Sequence, residues 1–373
     1  MKSQIHLLQT ELFLHDYKFA SLCLITAFIV TMLCIPQIIK IVNRYELHDI
    51  PDARKEHKVP VPTFGGIAIF LGTISALVLW VPVGSETHVI AFFFSIIALF
   101  CMGIFDDLKD LSAKYKFIVE IAIASLIAVA GIRITSFNGL FGIHELPLTA
   151  QYTFTVLAIV GITNAFNLID GIDGLAGGLG FMSLMTLGIF LTLSGENALG
   201  MIAFAMGGAL LAFLYFNFNP AKIFMGDTGS LTLGFVISVL CIRLMQANIG
   251  STHPVLGNSP IFTLGIVLIP VFDTLRVFTL RIWSGKSPFS PDKTHIHHLL
   301  TTRGFSHSYS TKAICLVHAF ILFQVYWFKD ISQEWLLILV VTVMILVSVL
   351  FRNLQTIRQY LPWEKYRKKY EIG

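Results

Sequence analysis

Long apolar stretches alternating with short polar connectors dominate the chain. Runs of the length that crosses a bilayer as a helix recur at about 19–42, 64–82, 89–105, 117–133, 152–165, 175–193, 198–216, 228–246, 260–281, 313–328 and 335–351. They predict about eleven transmembrane helices, and because the fifth run is short and interrupted the pattern also accommodates ten. Together they use more than half of the 373 residues and leave only connecting loops. The expected architecture is therefore all-α, a single polytopic membrane domain over residues 1–373. The run beginning near Phe19 is long enough to span and lacks a small-residue cleavage site, so it reads as a first anchor. No fixed-period repeat is present, which argues against a solenoid or an inverted-repeat transporter. Gly65, Gly66, Gly177, Gly178 and Gly180 read as close-packing positions between helices.

Composition narrows the function classes. With 55% apolar and only 13% charged residues, a water-soluble enzyme or DNA-binding protein is excluded, and a formal net charge of +4 is too weak to argue for a nucleic-acid partner. Cys23, Cys34, Cys101, Cys241 and Cys315 are dispersed through apolar stretches, without the spacing of a disulfide framework or thiolate metal site. The distribution of charge matters more than its sum. Arg44, Arg54, Lys55, Lys58, Lys109, Lys114, Lys116, Lys222, Lys286, Lys293 and Arg303 all fall in odd-numbered loops, and the C-terminal tail adds six more cations. The even loops hold little beyond Arg133 and Lys329. The positive-inside rule then puts the odd loops and the C-terminus in the cytoplasm and, for eleven spans, the N-terminus outside.

The polar side chains suited to chemistry crowd into the same odd loops. The first, LHDIPDARKEHKVPVPTFGG, combines Asp52, Lys55 and His57 with a rigid Pro60-Val61-Pro62 segment, more order than a merely solvated basic loop requires. Asp106 and Asp107 end the third span, shortly before Lys114 and Lys116; adjacent carboxylates repel, which calls for a cation, a metal or a raised pKa unless water solvates both. In NAFNLIDGIDGLAGG, Asn164, Asn167, Asp170 and Asp173 recur every three residues, on a helical face or an irregular turn. Oxygen donors at that density suit Mg²⁺, which completes its octahedron with water and phosphate, and polar groups at membrane depth are costly unless used. FNFNPAKIFMGDTGS supplies Asn217, Phe224 and Asp227; a helix cap alone explains Asp227, whereas Phe224 offers a ring for stacking a nucleobase. GKSPFSPDKTHIHHLL gathers His295, His297 and His298 beside Lys293, better suited to a diphosphate than to zinc because no thiolate or HExxH spacing accompanies them.

Asp106-Asp107, NAFNLIDGIDG, FMGD and HIHH, in that order, resemble the polyprenyl-phosphate N-acetylhexosamine-1-phosphate transferase family, over about Asp52–Gly304. The likeness is strongest to its undecaprenyl-phosphate N-acetylglucosamine-1-phosphate branch. The resemblance implies transfer of sugar-1-phosphate from a UDP-N-acetylhexosamine, UDP-GlcNAc in that branch, to undecaprenyl phosphate in the bacterial inner membrane. UMP is released, Mg²⁺ or Mn²⁺ is required, and the product begins a lipid-linked surface polysaccharide such as O-antigen. By the same resemblance Asn167 and Asp227 match the metal site, and Asp106, with Asp107 beside it, the acid that deprotonates or positions the lipid phosphate. Phe224, Asp173 and Asn217 match contacts to the uridine; Asp170, His295, His297 and His298 match positions around the diphosphate and sugar. Asp52, Lys55, His57, Lys116, Asn164 and Lys293 complete the expected substrate contacts. Ile296 interrupts the histidine triplet of the branch that uses UDP-MurNAc-pentapeptide, which favours a simple N-acetylhexosamine, while Lys293 stands where many relatives carry arginine and cannot give a bidentate grip.

Two other classes fit less well. An ion-coupled transporter predicts ionisable groups facing one another at span centres. Here Glu120, Arg243, Asp273 and Arg276 lie towards span ends, and His318 reads as a packed polar residue. A scaffold would not need clusters of acids and amides on one side. A homodimer is compatible with the sequence.

Overall fold

A computed structural model describes residues 2–45, 48–49, 61–81, 87–249, 251, 254–288, 290 and 294–360; for 2–16, 48–49 and 355–360 it describes the backbone only. Twelve α-helices follow one another among these residues: α1 (Lys2–Arg44), α2 (Gly65–Trp80), α3 (Thr87–Lys109), α4 (Ala113–Val129), α5 (Leu148–Ile169), α6 (Leu175–Leu193), α7 (Asn197–Asn217), α8 (Gly226–Asn248), α9 (Ser259–Trp283), α10 (Ile296–Thr301), α11 (His307–Trp327) and α12 (Gln333–Tyr360). Two short strands, β1 (His48–Asp49) and β2 (Val61–Pro62), pair antiparallel at the ends of the first loop.

Nine of the described helices are long and apolar enough to cross a membrane. The 16-residue α2 and the 17-residue α4 are shorter and match the second and fourth apolar runs. The chain is a polytopic all-α membrane protein. The fifth run, read from sequence as short and interrupted, is a continuous helix of 22 residues. Three of its polar side chains bond to carbonyls one turn back: Thr155 and Thr163 donate to the carbonyls of Gln151 and Ile159, and Asn164 donates to that of Val160.

Helix α8 forms the axis of the bundle. Of its apolar stretch 94% is buried, against 22% in α1 and in α12. The small residues at its start make this burial achievable, because a Cβ on Gly66 of α2 would lie 2.3 Å from the backbone nitrogen of Gly229, and one on Gly103 of α3 would lie 2.4 Å from the Cα of Thr228. Gly177 and Gly180 meet Leu214 and Leu233 in the same close-packed way.

The two ends of the bundle differ. At one end the connections after α4, α8 and α11 are laced together: Asn138 Nδ2 donates to Gly257 O (2.8 Å), Gln333 Nε2 to Asn138 O (2.7 Å) and Asn258 Nδ2 to Lys329 O (2.7 Å). Arg243 pairs with Glu196 at 2.7 Å on the same side. The opposite end carries the connections 110–112, 170–174 and 218–225 and the segment around α10, where the acids, amides and histidines gather.

Candidate active site

The site grows from the close approach of α3 to α8. Asp106 and Asp107 stand three and four residues beyond Gly103, so the contact that brings Gly103 onto Thr228 also presents both acids to the start of α8. There they part. Asp107 accepts from the backbone N–H groups of Asp227 (2.8 Å) and Thr228 (3.1 Å) and from the Thr228 hydroxyl (2.5 Å), so it caps α8 from another helix. Gly226 makes room for this: its φ is +70°, and a Cβ would meet Thr63 O and the Asp107 carboxylate. Asp106, itself buried, accepts from Leu111 N–H at 2.8 Å and pairs with Lys116 Nζ at 2.5 Å.

Because Asp107 does the capping, the Asp227 carboxylate is spared for other partners. Lys116 Nζ donates to its Oδ2 at 2.9 Å and Asn167 Nδ2 to its Oδ1 at 3.0 Å; the same amide nitrogen also donates to Ser230 Oγ at 2.9 Å. One ammonium thus bridges Asp106 and Asp227, residues 121 positions apart in sequence. Asn164, one turn before Asn167, donates to Glu120, a buried acid that the sequence reading placed only by its position near a span end.

The turn after α5 carries the remaining acids. Asp170 caps the end of that helix, and burial, with the negative charges of Asp227, Asp107 and Asp173, pushes its carboxyl up to about 7 although part of its surface stays open. Asp173 behaves in the opposite sense. Burial would raise its carboxyl, but hydrogen bonds from His307, Asn219 and the Ala221 N–H outweigh that and hold it below the usual range. Asn219 Nδ2 and Ala221 N reach its Oδ2 at 2.9 and 3.0 Å, His307 Nδ1 lies 3.3 Å from its Oδ1, and Thr311 donates to its backbone carbonyl. Asn217 ties the same two loops, accepting from Gly174 N and donating to Ile223 O, both at 2.8 Å. In this structure Asp173 and Asn217 hold loops together. Phe224 is half-buried, its backbone locked by bonds to Pro62 and Gly65.

The histidines sit on this turn. A Cβ on Gly171 would lie 2.4 Å from His297 Nε2, so the ring fits against Asp170's neighbour only because that neighbour is glycine. His295 stacks parallel to His297 at 5.9 Å, and His298 lies 4.2 Å from His297. Asp52, Lys55, His57 and Lys293 lie outside the described residues.

The sequence profile of glycosyl transferase family 4 matches residues 89–245, which contain Asp106, Lys116, Asn167, Asp173 and Asp227. The chain is 34% identical over 353 residues (93% of this chain and 96% of the relative) to a Bacillus subtilis (strain 168) protein named probable undecaprenyl-phosphate N-acetylglucosaminyl 1-phosphate transferase. The chain belongs to glycosyl transferase family 4. Undecaprenyl-phosphate alpha-N-acetylglucosaminyl 1-phosphate transferases of Salmonella typhi and Escherichia coli (strain K12) are 32% and 30% identical over 292 residues, covering 76% of this chain and 77% of each relative.

The centre of the site holds oxygen donors: the carboxylates of Asp106 and Asp227, bridged by Lys116, and beside Asp227 the Asn167 amide. Among the described residues no three His, Cys, Asp or Glu side chains close on one point. Such a set fits a hard divalent cation that takes few protein ligands and shares itself with substrate phosphates; the Lys116 ammonium already marks the place as one that attracts positive charge. Three contributors escaped the sequence reading. Asp273 and Arg276 of α9 were read as span-end charges, yet they anchor the histidine segment, and His307 of α11 anchors Asp173. Residue type and membrane-edge position were the available signal for each; their partners lie about one loop or more away.

Proposed function

We propose that this protein transfers N-acetylglucosamine-1-phosphate from UDP-GlcNAc to undecaprenyl phosphate, releasing UMP, at the cytoplasmic face of a bacterial inner membrane. The observation that carries the reading is the convergence of Asp106, Lys116, Asn167 and Asp227 at one end of an apolar bundle. A lipid-tailed phosphate and a soluble nucleotide sugar can meet at such an edge, and the names of the relatives support undecaprenyl phosphate as the acceptor and N-acetylglucosaminyl 1-phosphate as the group transferred.

A phosphate oxygen of the lipid attacks the β-phosphorus of the donor; the new P–O bond forms as the bond from that phosphorus to the bridging oxygen breaks, and UMP leaves with the electron pair. Asp106 accepts the proton of a monoprotonated lipid phosphate, or orients the dianion. Lys116 faces the incoming anions, Asn167 and Asp227 would hold Mg²⁺, and Asp170, Phe224 and the histidines surround the donor. The cation, when bound, neutralises phosphate charge that would otherwise repel the attack. Asp107 is assigned a positioning role through α8 instead of a role in bond making. An aspartyl-phosphate path through Asp107 is disfavoured because its oxygens are engaged by the Thr228 hydroxyl and the α8 backbone.

Purified protein in detergent with undecaprenyl phosphate, Mg²⁺ and UDP-GlcNAc, UDP-GalNAc or UDP-MurNAc-pentapeptide tests this through UMP release. Release with UDP-GlcNAc that chelator abolishes and Mg²⁺ or Mn²⁺ restores is expected. No release with any donor, or chelator-insensitive release, contradicts the proposal.

A further inference from the structure

Asp273 is buried on α9, 1% exposed, and both oxygens of its carboxylate are engaged. Oδ1 accepts from Arg276 at 2.7 Å and from the Ile296 N–H at 2.9 Å; Oδ2 lies 2.9 Å from His295 Nδ1. Arg276 also donates to Thr294 O at 2.5 Å, so the pair grips the chain on both sides of His295. The Arg276 guanidinium already balances the Asp273 charge. A neutral imidazole therefore satisfies the pocket, provided that the proton is on Nδ1, because a carboxylate oxygen can only accept. His295 Nε2 has no hydrogen-bond partner among the described residues, and its ring is stacked on His297, which rests on Gly171 beside Asp170.

The geometry points to Asp273 as a positioning residue that fixes His295 in its Nδ1–H tautomer and leaves Nε2 as a hydrogen-bond acceptor for a hydroxyl or amide of the bound donor. This rests on the transferase reading only for the identity of that donor; the tautomer is a property of the protein alone. The logic is that of any buried carboxylate behind a working imidazole, where the second partner decides which nitrogen is basic.

The test reads both levels. In protein labelled with ¹⁵N-histidine, the difference between wild type and His295→Gln identifies the His295 signals. The expected pattern at pH 7.5 is a pyrrole-type Nδ1 and a pyridine-type Nε2; a protonated Nε2, in either the other tautomer or the imidazolium, overturns the inference whether or not the protein turns over. Asp273→Asn is expected to mix the tautomers and to lower kcat/KM about tenfold, the size of one hydrogen bond to the donor. In the His295→Gln background the same substitution should cost less than threefold, since its route of action is gone. Equal losses in both backgrounds mean that Asp273 serves only the fold and refute the proposal. Where Asp273→Asn does not yield folded protein, the wild-type spectrum alone decides. Failure of UMP release in wild type with the expected tautomer present would reject the transferase reading and not this one.

Discussion

Two adjacent carboxylates on one helix repel, and the fold relieves the conflict by giving each a different partner: Asp106 takes the Lys116 ammonium and Asp107 the start of α8. Their substitutions should therefore separate. Asp107→Asn is expected to lower stability by about 1–2 kcal/mol through the weakened cap, seen as a lower thermal midpoint in detergent. Asp106→Asn should leave that midpoint nearly unchanged and reduce kcat by about 10² or more. Identical behaviour of the two variants would contradict the division. Asp170 allows a pH test. Its carboxyl is raised from 3.8 to about 7, so ionising it costs stability that begins to appear above the ordinary value and is complete above about 7. Asp170→Asn removes the cost: without divalent cations the variant should melt several degrees above wild type at pH 8, and the gap should close as pH falls towards 4. A gap that persists unchanged at pH 4 would assign the gain to another cause.

At the scale of the helices, site assembly depends on how closely α2 and α3 approach α8. Gly66→Val or Gly103→Val forces side-chain carbons onto α8 backbone that lies 2.3 or 2.4 Å from the Cβ position. Each should cost about 1–3 kcal/mol and, by swinging the acids away from Asp227, reduce turnover by more than the stability loss accounts for. Gly161→Val, on a stretch of α5 with nothing within 4 Å, is the control and should change neither. Most helices were legible because a membrane span needs a long apolar run and nothing disguises one. The fifth was misjudged because Thr155, Thr163 and Asn164 look like interruptions, while in the helix they bond to carbonyls one turn back. The sequence also showed which residue types belong to the site, since acids and amides at a membrane edge need a reason. It did not show the pairings: that Asp107 caps α8 from 120 residues away, or that Asp273 reaches His295, is decided by packing between elements with no local signature.

Across the whole molecule, the odd-numbered connections share one end and the even-numbered ones the other, as alternating spans require. Single cysteines introduced by Ser112→Cys and Lys286→Cys in a background free of native cysteine should react with an impermeant thiol reagent only from the cytoplasmic side, and His144→Cys and Asp330→Cys only from the opposite side. Labelling of all four from one side would disprove the proposed orientation. The bridging ammonium of Lys116 has a consequence for how such a molecule is loaded. A lone dication approaching Asp106 and Asp227 must evict a tethered counter-ion and gains little by doing so, whereas one already clasped by a diphosphate brings fresh anions to which that lysine can turn. Nucleotide sugar and metal are thus best admitted as one guest, and calorimetry should register weak uptake of either alone and strong uptake of both together.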